Sequence, residues 1–230
     1  PPYMGGSGMS TRLADYVKNN YPDSKSDMST VFMEKTINMC KTNGYMAMIN
    51  IPVWMFLSSY EKLREKLFSL NTLSSMVHLG RGVFGSDFGT TSFIFTKHIS
   101  GGFKGSYRRL FEKQGAVDSV ETKEKWFFEG KGSFNANQAD FSKIPGMPVA
   151  YWVSKAVYNA FLNFPNLYSI APTKMGMTTG DNNKFLRFWY EVNKQKVGEN
   201  YPFYNKGTEF RRWFGGIVNV IKWIDNGFEV

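Results

Sequence analysis

Between residues 27 and 97 the apolar residues alternate between helical and strand spacing, and that order constrains the fold more than any other feature of the chain. Asp27 is placed to cap a helix running to about Lys41, with Met28, Val31, Phe32, Met39 and Cys40 on one face. Asn43-Gly44 predicts a left-handed stop to that helix. YMAMINI (45–51) then reads as a buried strand bounded by Gly44 and Pro52. Ser58-x-x-Glu61 has the pattern of a capping box, ahead of a helix lined on one side by Tyr60, Leu63, Leu67 and Leu70. LSSMVHL (73–79) and TTSFIFTK (90–97) read as two more strands. Helix, strand, helix, strand, strand predicts half of an α/β sheet ending in a hairpin.

The flanking regions carry weaker patterns. Residues 1–26 are rich in Gly, Ser, Asn and Asp and read as a long loop. GGFKGSYRRLF, from Gly101, holds one further strand, and the polar, glycine-rich stretch after it reads as a linker. Val153, Ala156, Val157, Ala160, Phe161 and Phe164 fall at helical spacing until Pro165 stops them. Beyond lie the turn-rich, aromatic segments TTGDNNKF and YPFYNKGTEFRRWFGG and a short closing strand, IVNVIKWI. The expected division is 1–100, a linker or extension over 101–148, and a further region over 149–230.

Composition narrows the partners. No apolar run approaches the roughly 18 residues of a membrane span, so no membrane role and a cytoplasmic location are expected. A single cysteine, Cys40, suits a reducing compartment, and two histidines, His78 and His98, are too few for most metal sites; no metal is expected. Lys and Arg number 28 against 19 Asp and Glu, a formal charge of +9, which favours anionic partners. Aromatic content of 17% beside those cations suits stacking on bases next to phosphates, although core aromatics under a basic surface would give the same composition.

Two short motifs invite a chemical reading. GRGVFG (80–85) has the glycine spacing of a dinucleotide loop and follows a predicted strand. The chain continues SDFGTTSFIF, which is strand-like, so no helix N-terminus is there to hold an anion and no acidic residue follows to hold a ribose. The opening PPY is different. Consecutive prolines stiffen the backbone and leave carbonyls without competing donors, and the adjoining Tyr3 supplies a flat face. Such a corner can hold a planar base and accept protons from its exocyclic amine. Taken alone, a proline turn with a packed tyrosine explains it as well.

The continuation decides between them. With an asparagine ahead of it the opening becomes NPPY, and Pro1 reads as the first residue after a cut within that motif. PPYMGGSGM…YPDSKSD…FME…NGYMAMI…WMFLSSYEKLREKLF…MVHLG resembles adenine-specific DNA methyltransferases of the phage-defence type (BREX, phage growth limitation). GMTTGDNNKFLRFW and PFYNKGTEFRRWFG resemble that family's target-recognition region. The fold this implies is α/β: the later half of a Rossmann-like class I methyltransferase sheet, followed by a mixed α+β DNA-recognition region. The function it implies is transfer of a methyl group from S-adenosylmethionine to adenine N6 in double-stranded DNA, within a restriction or phage-defence system. In the family the motif asparagine and the first proline's carbonyl accept from N6, and the tyrosine stacks on the flipped base. Those roles fall on Pro1, Pro2 and Tyr3. The cofactor's glycine-rich loop precedes NPPY in this class, so no cofactor-binding residue is expected here and the segment alone is expected to be inactive, lacking the N-terminal half of its polypeptide.

Further candidates follow from the same resemblance. Phe84 and Phe88, between the last two strands, could give the base a second aromatic contact, against simple hairpin packing. Thr179, Gly180 and Asn182 stand where the recognition region begins. Lys206, Arg211 and Arg212, interleaved with Tyr204, Phe210 and Trp213, form the densest basic and aromatic cluster and are candidates for DNA contact. His78, inside a strand, is expected to be structural. The strand at 45–51 is expected to carry an unpaired edge and to invite self-association. Two rival readings remain: an NPPY enzyme acting on RNA or on protein glutamine, and a non-enzymatic basic nucleic-acid-binding module.

Overall fold

The computed structural model describes residues 1–84, 88–174, 176–207, 210, 212–213 and 215–230. The chain forms two compact units, Pro1–Asn166 and Leu167–Val230.

The first unit is built on a mixed five-stranded sheet of β1 (Tyr45–Asn50), β2 (Thr72–Gly80), β3 (Thr90–Thr96), β4 (Lys104–Arg109) and β5 (Ser133–Asn137), in the order β1-β3-β2-β4-β5. β3 runs antiparallel to both β1 and β2, while β4 runs parallel to β2 and antiparallel to β5. Alternation along the strands puts Met46, Leu73, Met76, Phe93, Phe95 and Tyr107 on one face. There they pack with Leu63, Leu67 and Phe68 of α3 (Glu61–Leu70) and with Trp54 and Met55 of the preceding turn. On the neighbouring strand positions Tyr45, Ala47, Ile49 and Ile94 are exposed. The strand at 45–51 is therefore buried on one face, not on both.

α2 (Met28–Met39) begins at Asp27, whose carboxylate accepts from Ser29 N at 2.8 Å, and Asn43 takes the expected left-handed conformation at φ 62°. Four other expectations are corrected. The opening is not a continuous loop: α1 (Thr11–Asn20) starts at Ser10, whose Oγ accepts from Leu13 N. Only Val17 of that helix is fully buried, with Leu13 and Ala14 half-buried on the same face, an apolar stripe of little more than one turn in TRLADYVKNN. The capping box at Ser58 does not form, because Ser58–Tyr60 is a 3-10 turn and α3 begins after it. Leu70 is exposed, while Tyr60, Leu63 and Leu67 are buried.

The fourth correction concerns residues 101–148, expected as a linker. They supply β4, β5 and α4 (Val120–Phe128) to the first unit. Gln138 ties them in: its Oε1 accepts from Leu73 N at 2.8 Å, and its Nε2 donates to Phe68 O and Asn71 O. The unit closes only after α5 (Lys155–Asn163), which buries Tyr158 and leaves Val157, Phe161 and Leu162 exposed. Glycine-rich, polar sequence hid strands that are short and half-solvated.

The second unit is smaller. A short helical turn, α6 (Leu167–Ile170), precedes α7 (Asn182–Phe185), which leads into β6 (Leu186–Phe188); β7 (Phe203–Tyr204) and β8 (Asn219–Ile221) complete an antiparallel sheet ordered β6-β8-β7. Phe185, Leu186 and Ile221 form its core, with Tyr204, Trp223 and Val230 against them. Among the described residues no helix is long and apolar enough to cross a membrane.

Candidate functional site

The opening residues are held against the first unit by its backbone. Met28 N donates to Met4 O at 2.9 Å, and Gly5 and Asp27 form a bridge, so Tyr3 is fixed beside the start of α2. The Tyr3 hydroxyl donates to Ile49 O of β1 at 3.4 Å. The hairpin connection between β2 and β3 brings in Phe84 and Phe88. These segments enclose an open pocket of about 760 Å³, lined by Pro1, Tyr3, Phe32, Ala47, Met48, Ile49, Phe84, Phe88 and Thr90.

The lining is apolar apart from the Tyr3 and Thr90 hydroxyls and the backbone. Tyr3 and Phe88 pack edge to face, centroids 5.4 Å apart and planes at 78°. Tyr3, Phe32, Phe84 and Phe88 are 42%, 38%, 56% and 46% exposed, so four aromatic rings stand in the pocket with surface to offer a ligand. Partial burial, then the charge of Asp27, raises the Tyr3 hydroxyl above the usual phenol range, so it stays protonated and cannot act as a base at neutral pH. Such a pocket can stack a planar ring and exclude water; among the described residues its lining holds no acid or base for proton transfer. Pro1, Tyr3, Phe84 and Phe88 are thus brought together in one lining, while Pro2 lies outside it. Phe32, from the exposed side of α2, was not anticipated.

Residues 80–84 of the GRGVFG segment run on from the end of β2, and no helix lies between β2 and β3 among the described residues. Gly80 and Gly82 sit at φ +71° and +87°, and a Cβ at Gly80 would meet the Phe111 ring at 2.8 Å. His78 is 4% exposed, with Nδ1 3.3 Å from the Tyr151 hydroxyl. Burial first, then the charges of Arg109 and Lys123, pull its pKa down to about 4, so the ring is neutral. Lys123 is itself buried and donates to Leu79 O and Leu110 O at 2.7 and 3.0 Å. Neither Lys123 nor Arg109 stood out in the sequence, because one falls in a polar helix and the other in a basic doublet.

In the second unit, Thr179 Oγ1 donates to Asn182 Oδ1 at 2.7 Å, Gly180 turns at φ +66°, and Asp181 caps α7 through Lys184 N. These contacts shape a turn. Asn182 and Lys206 meet in an open pocket of about 410 Å³ with Asn183, Arg187, Phe188, Glu191 and Asn219. Thr179, Gly180 and Arg212 are not in its lining; Arg212 lies over the Trp213 ring at 5.4 Å, and Arg211 lies outside the described residues. Beside the pocket, Phe188 and Tyr190 stack at 5.3 Å with planes 5° apart, and Trp189 meets Tyr190 edge-on. The rings of this exposed platform fall within FLRFWYE (185–191), whose sequence gives no hint that they stack.

Residues 1–84 match the family model described as Eco57I restriction-modification methylase. The chain is 39% identical, over 99% of its length, to the adenine-specific methyltransferase PglX of Lacticaseibacillus casei (strain Zhang). It is 38% identical, over 100% of its length, to the adenine-specific methyltransferase BrxX of Escherichia coli O9:H4 (strain HS). It spans 20% of each of these curated relatives. Among solved structures, a modification subunit of a putative type I restriction enzyme from Vibrio vulnificus YJ016 aligns with 61% of this chain and 33% of its own, at 14% identity and a TM-score of 0.47, a likeness too loose to carry an argument.

Proposed function

We propose, from the premise that this chain is a segment of the adenine-specific methyltransferase family to which PglX and BrxX belong, that its aromatic pocket receives an adenine turned out of duplex DNA. The observation that carries this reading is the pocket itself, in which Tyr3 and Phe88 meet at 5.4 Å beside the proline corner. Adenine N6 is engaged in pairing until the base leaves the stack, so a protein that modifies it must offer the extruded ring an apolar, aromatic surface. Tyr3 stacks on the ring and Phe88 or Phe84 closes on it from the hairpin connection. Pro1, stiffened by Pro2, presents its carbonyl to the exocyclic amine, and the asparagine that precedes the prolines in the family's motif supplies the second acceptor. Two accepted hydrogen bonds from N6 direct its lone pair outward and stabilise the charge that develops on nitrogen during transfer.

The methyl donor in this reading is S-adenosylmethionine, consumed as a co-substrate. Among the described residues the pocket has no carboxylate to hold a ribose and no strand-to-helix glycine turn, so the donor is assigned to no residue of this chain. The second unit, with its +3 balance of Lys and Arg over Asp and Glu and its exposed aromatics, serves as the start of the DNA-recognition region, in a restriction or phage-defence setting.

The test uses the full-length protein that contains this segment, with labelled S-adenosylmethionine and genomic DNA, RNA and protein as acceptors. N6-methyladenine appearing in duplex DNA at a recurring sequence supports the reading. Label confined to RNA or to glutamine would replace it with the rival enzyme readings, and no transfer at all would leave a binding module.

A further inference from the structure

Arg109 ends β4, and the parallel register sets it against His78 of β2, at the carboxyl end of the parallel pair. Ligands of open α/β sheets gather beyond that end. Its guanidinium carbon lies 5.7, 5.7 and 5.9 Å from the ring centres of Phe111, Phe134 and Trp152. The backbone N–H of Arg109 donates to Gly132 O, but its side chain has no hydrogen bond or ion pair to any described residue. A half-buried cation left without acceptors is costly.

Two other arginines of the unit set the contrast. Arg64, 1% exposed, spends its donors on the carbonyls of Trp54, Leu57 and Gly146, which is how this fold satisfies a structural guanidinium. Arg108, on the other face of β4, has its Nη1 shut away from solvent, whereas no nitrogen of Arg109 is sealed off. Arg109 is held in place by rings and, among the described residues, keeps its donors open. The neighbouring titratable groups are His78, Tyr151 and Lys123, none of them an acid.

The β2–β3 connection relates this position to the aromatic pocket. Gly80 and Gly89 line a small cleft with His78 and Phe111, while Phe84 and Phe88 of the same connection line the large pocket. We propose that Arg109, caged by Phe111, Phe134 and Trp152, is a phosphate-binding residue that grips the DNA backbone beside the extruded nucleotide. A guanidinium fork suits a phosphodiester because two parallel N–H donors match two non-bridging oxygens. Held by packing alone, it loses little freedom on binding.

This inference rests on the DNA-methylation reading, and the experiment separates the two. Full-length protein carrying Arg109→Gln or Arg109→Lys is compared with the parent for binding to cognate and scrambled duplexes across a salt series. Arg109→Gln is expected to weaken both duplexes alike, by about three- to tenfold, and to reduce the slope of log K against log salt by about 1. Arg109→Lys keeps the charge and most of the slope. A second measurement does not depend on the variant's stability: single methylphosphonate substitutions are scanned along the strand around the target adenine. The parent loses affinity at one neutralised phosphate, and Arg109→Gln becomes indifferent to that position alone. Unchanged affinity, slope and phosphate scan in a parent that methylates DNA would overturn the phosphate site. So would a fall in melting temperature with an unchanged slope, which would make Arg109 a structural residue packed on its three rings. A parent that does not methylate DNA overturns the underlying reading instead.

Discussion

Tyr3 and Phe88 meet edge to face at 5.4 Å, although 85 positions separate them and one belongs to the opening segment and the other to the β2–β3 connection. Tyr3 stays 42% exposed beside this contact, so its ring keeps surface to offer a stacking ligand. The hydroxyl adds little, since its bond to Ile49 O is long at 3.4 Å. Stacking on a base is worth about 1–3 kcal/mol. In the full-length enzyme Tyr3→Ala is expected to slow single-turnover methylation by about one to two decades, and Tyr3→Phe to retain most of the rate. A mismatch opposite the target adenine lowers the cost of extrusion and should partly rescue Tyr3→Ala. Phe proving as damaging as Ala would remove Tyr3 from the stacking role.

The same contact separates the two hairpin phenylalanines. Phe88 touches Tyr3, whereas no ring contact involves Phe84 among the described residues. Aromatic pairs couple by about 0.5–1.5 kcal/mol beyond their burial. A double-mutant cycle on methylation rate should therefore find coupling between Tyr3→Ala and Phe88→Ala and additivity between Tyr3→Ala and Phe84→Ala. The reverse pattern would make Phe84 the partner ring.

His78 gives a pH signature. Its folded pKa, about 4, lies below the ordinary value of 6.5, so the folded state binds fewer protons than the unfolded state between those limits. A depressed folded pKa contributes stability that is complete above pH 6.5 and is lost as pH falls toward 4. The full span corresponds to about 3 kcal/mol. Denaturant melts of the chain at pH 7, 6, 5 and 4.5 should show this decline, and His78→Gln should flatten the part that lies above pH 5. Equal slopes in the two proteins would mean that His78 is not buried in the neutral form.

How much of this could be read from the sequence depended on whether burial left a periodic trace. α2, α3 and the first three strands bury continuous stripes such as Met46, Phe93 and Phe95, and their spacing announces them. α1 fully buries one side chain, and its apolar face, Leu13, Ala14 and Val17, spans little more than one turn between polar ends. β4 and β5 are short, half-solvated and set among glycines, and Gln138, the side chain that binds them to β2, has no pattern that foretells a 65-residue reach to Leu73. The aromatic pocket was legible through a motif, because PPY and the hairpin phenylalanines are defined by chemistry. Arg109 and the Phe188–Tyr190 stack were not, since their meaning lies in what stands beside them across the fold.

β1 forms one edge of the sheet, pairing only with β3 among the described residues, and Ala47 and Ile49 are exposed along it. An open, apolar edge is a template for pairing with another chain. The 230-residue segment should self-associate with rising concentration in sedimentation experiments, and Ile49→Lys should restore a monomer. A wild-type segment that stays monomeric at high concentration, with β1 amides exchanging freely, would show that this edge is not used.

Arg64 supports the floor of the first unit. Its Nη1 donates to Trp54 O at 2.9 Å and Leu57 O at 2.8 Å, and its Nε donates to Gly146 O at 3.0 Å. One side chain on α3 thereby fixes the turn after β1 and the segment ahead of Val149, which are far apart in sequence. Burial lowers its pKa, with Glu61 and Glu65 opposing the shift, yet the group stays charged because arginine starts so high. Replacing a buried charge with a hydrophobe can be neutral when no partner is stranded. Here three carbonyls would be stranded at once, and an unsatisfied buried acceptor costs about 1–3 kcal/mol. Partial access to water and small backbone shifts reduce the sum, so Arg64→Met is expected to cost about 2–4 kcal/mol and to lower the melting temperature by about 5–10 °C. Arg64→Lys should fall between, because a single ammonium cannot reach both sides of the fork. Calorimetry on the three proteins, with hydrogen exchange read at Leu57 and Met147, checks the assignment: exchange should rise at both sites in Arg64→Met. A variant that melts within a degree or two of the parent would mean that the carbonyls find water and that Arg64 does not brace this part of the fold.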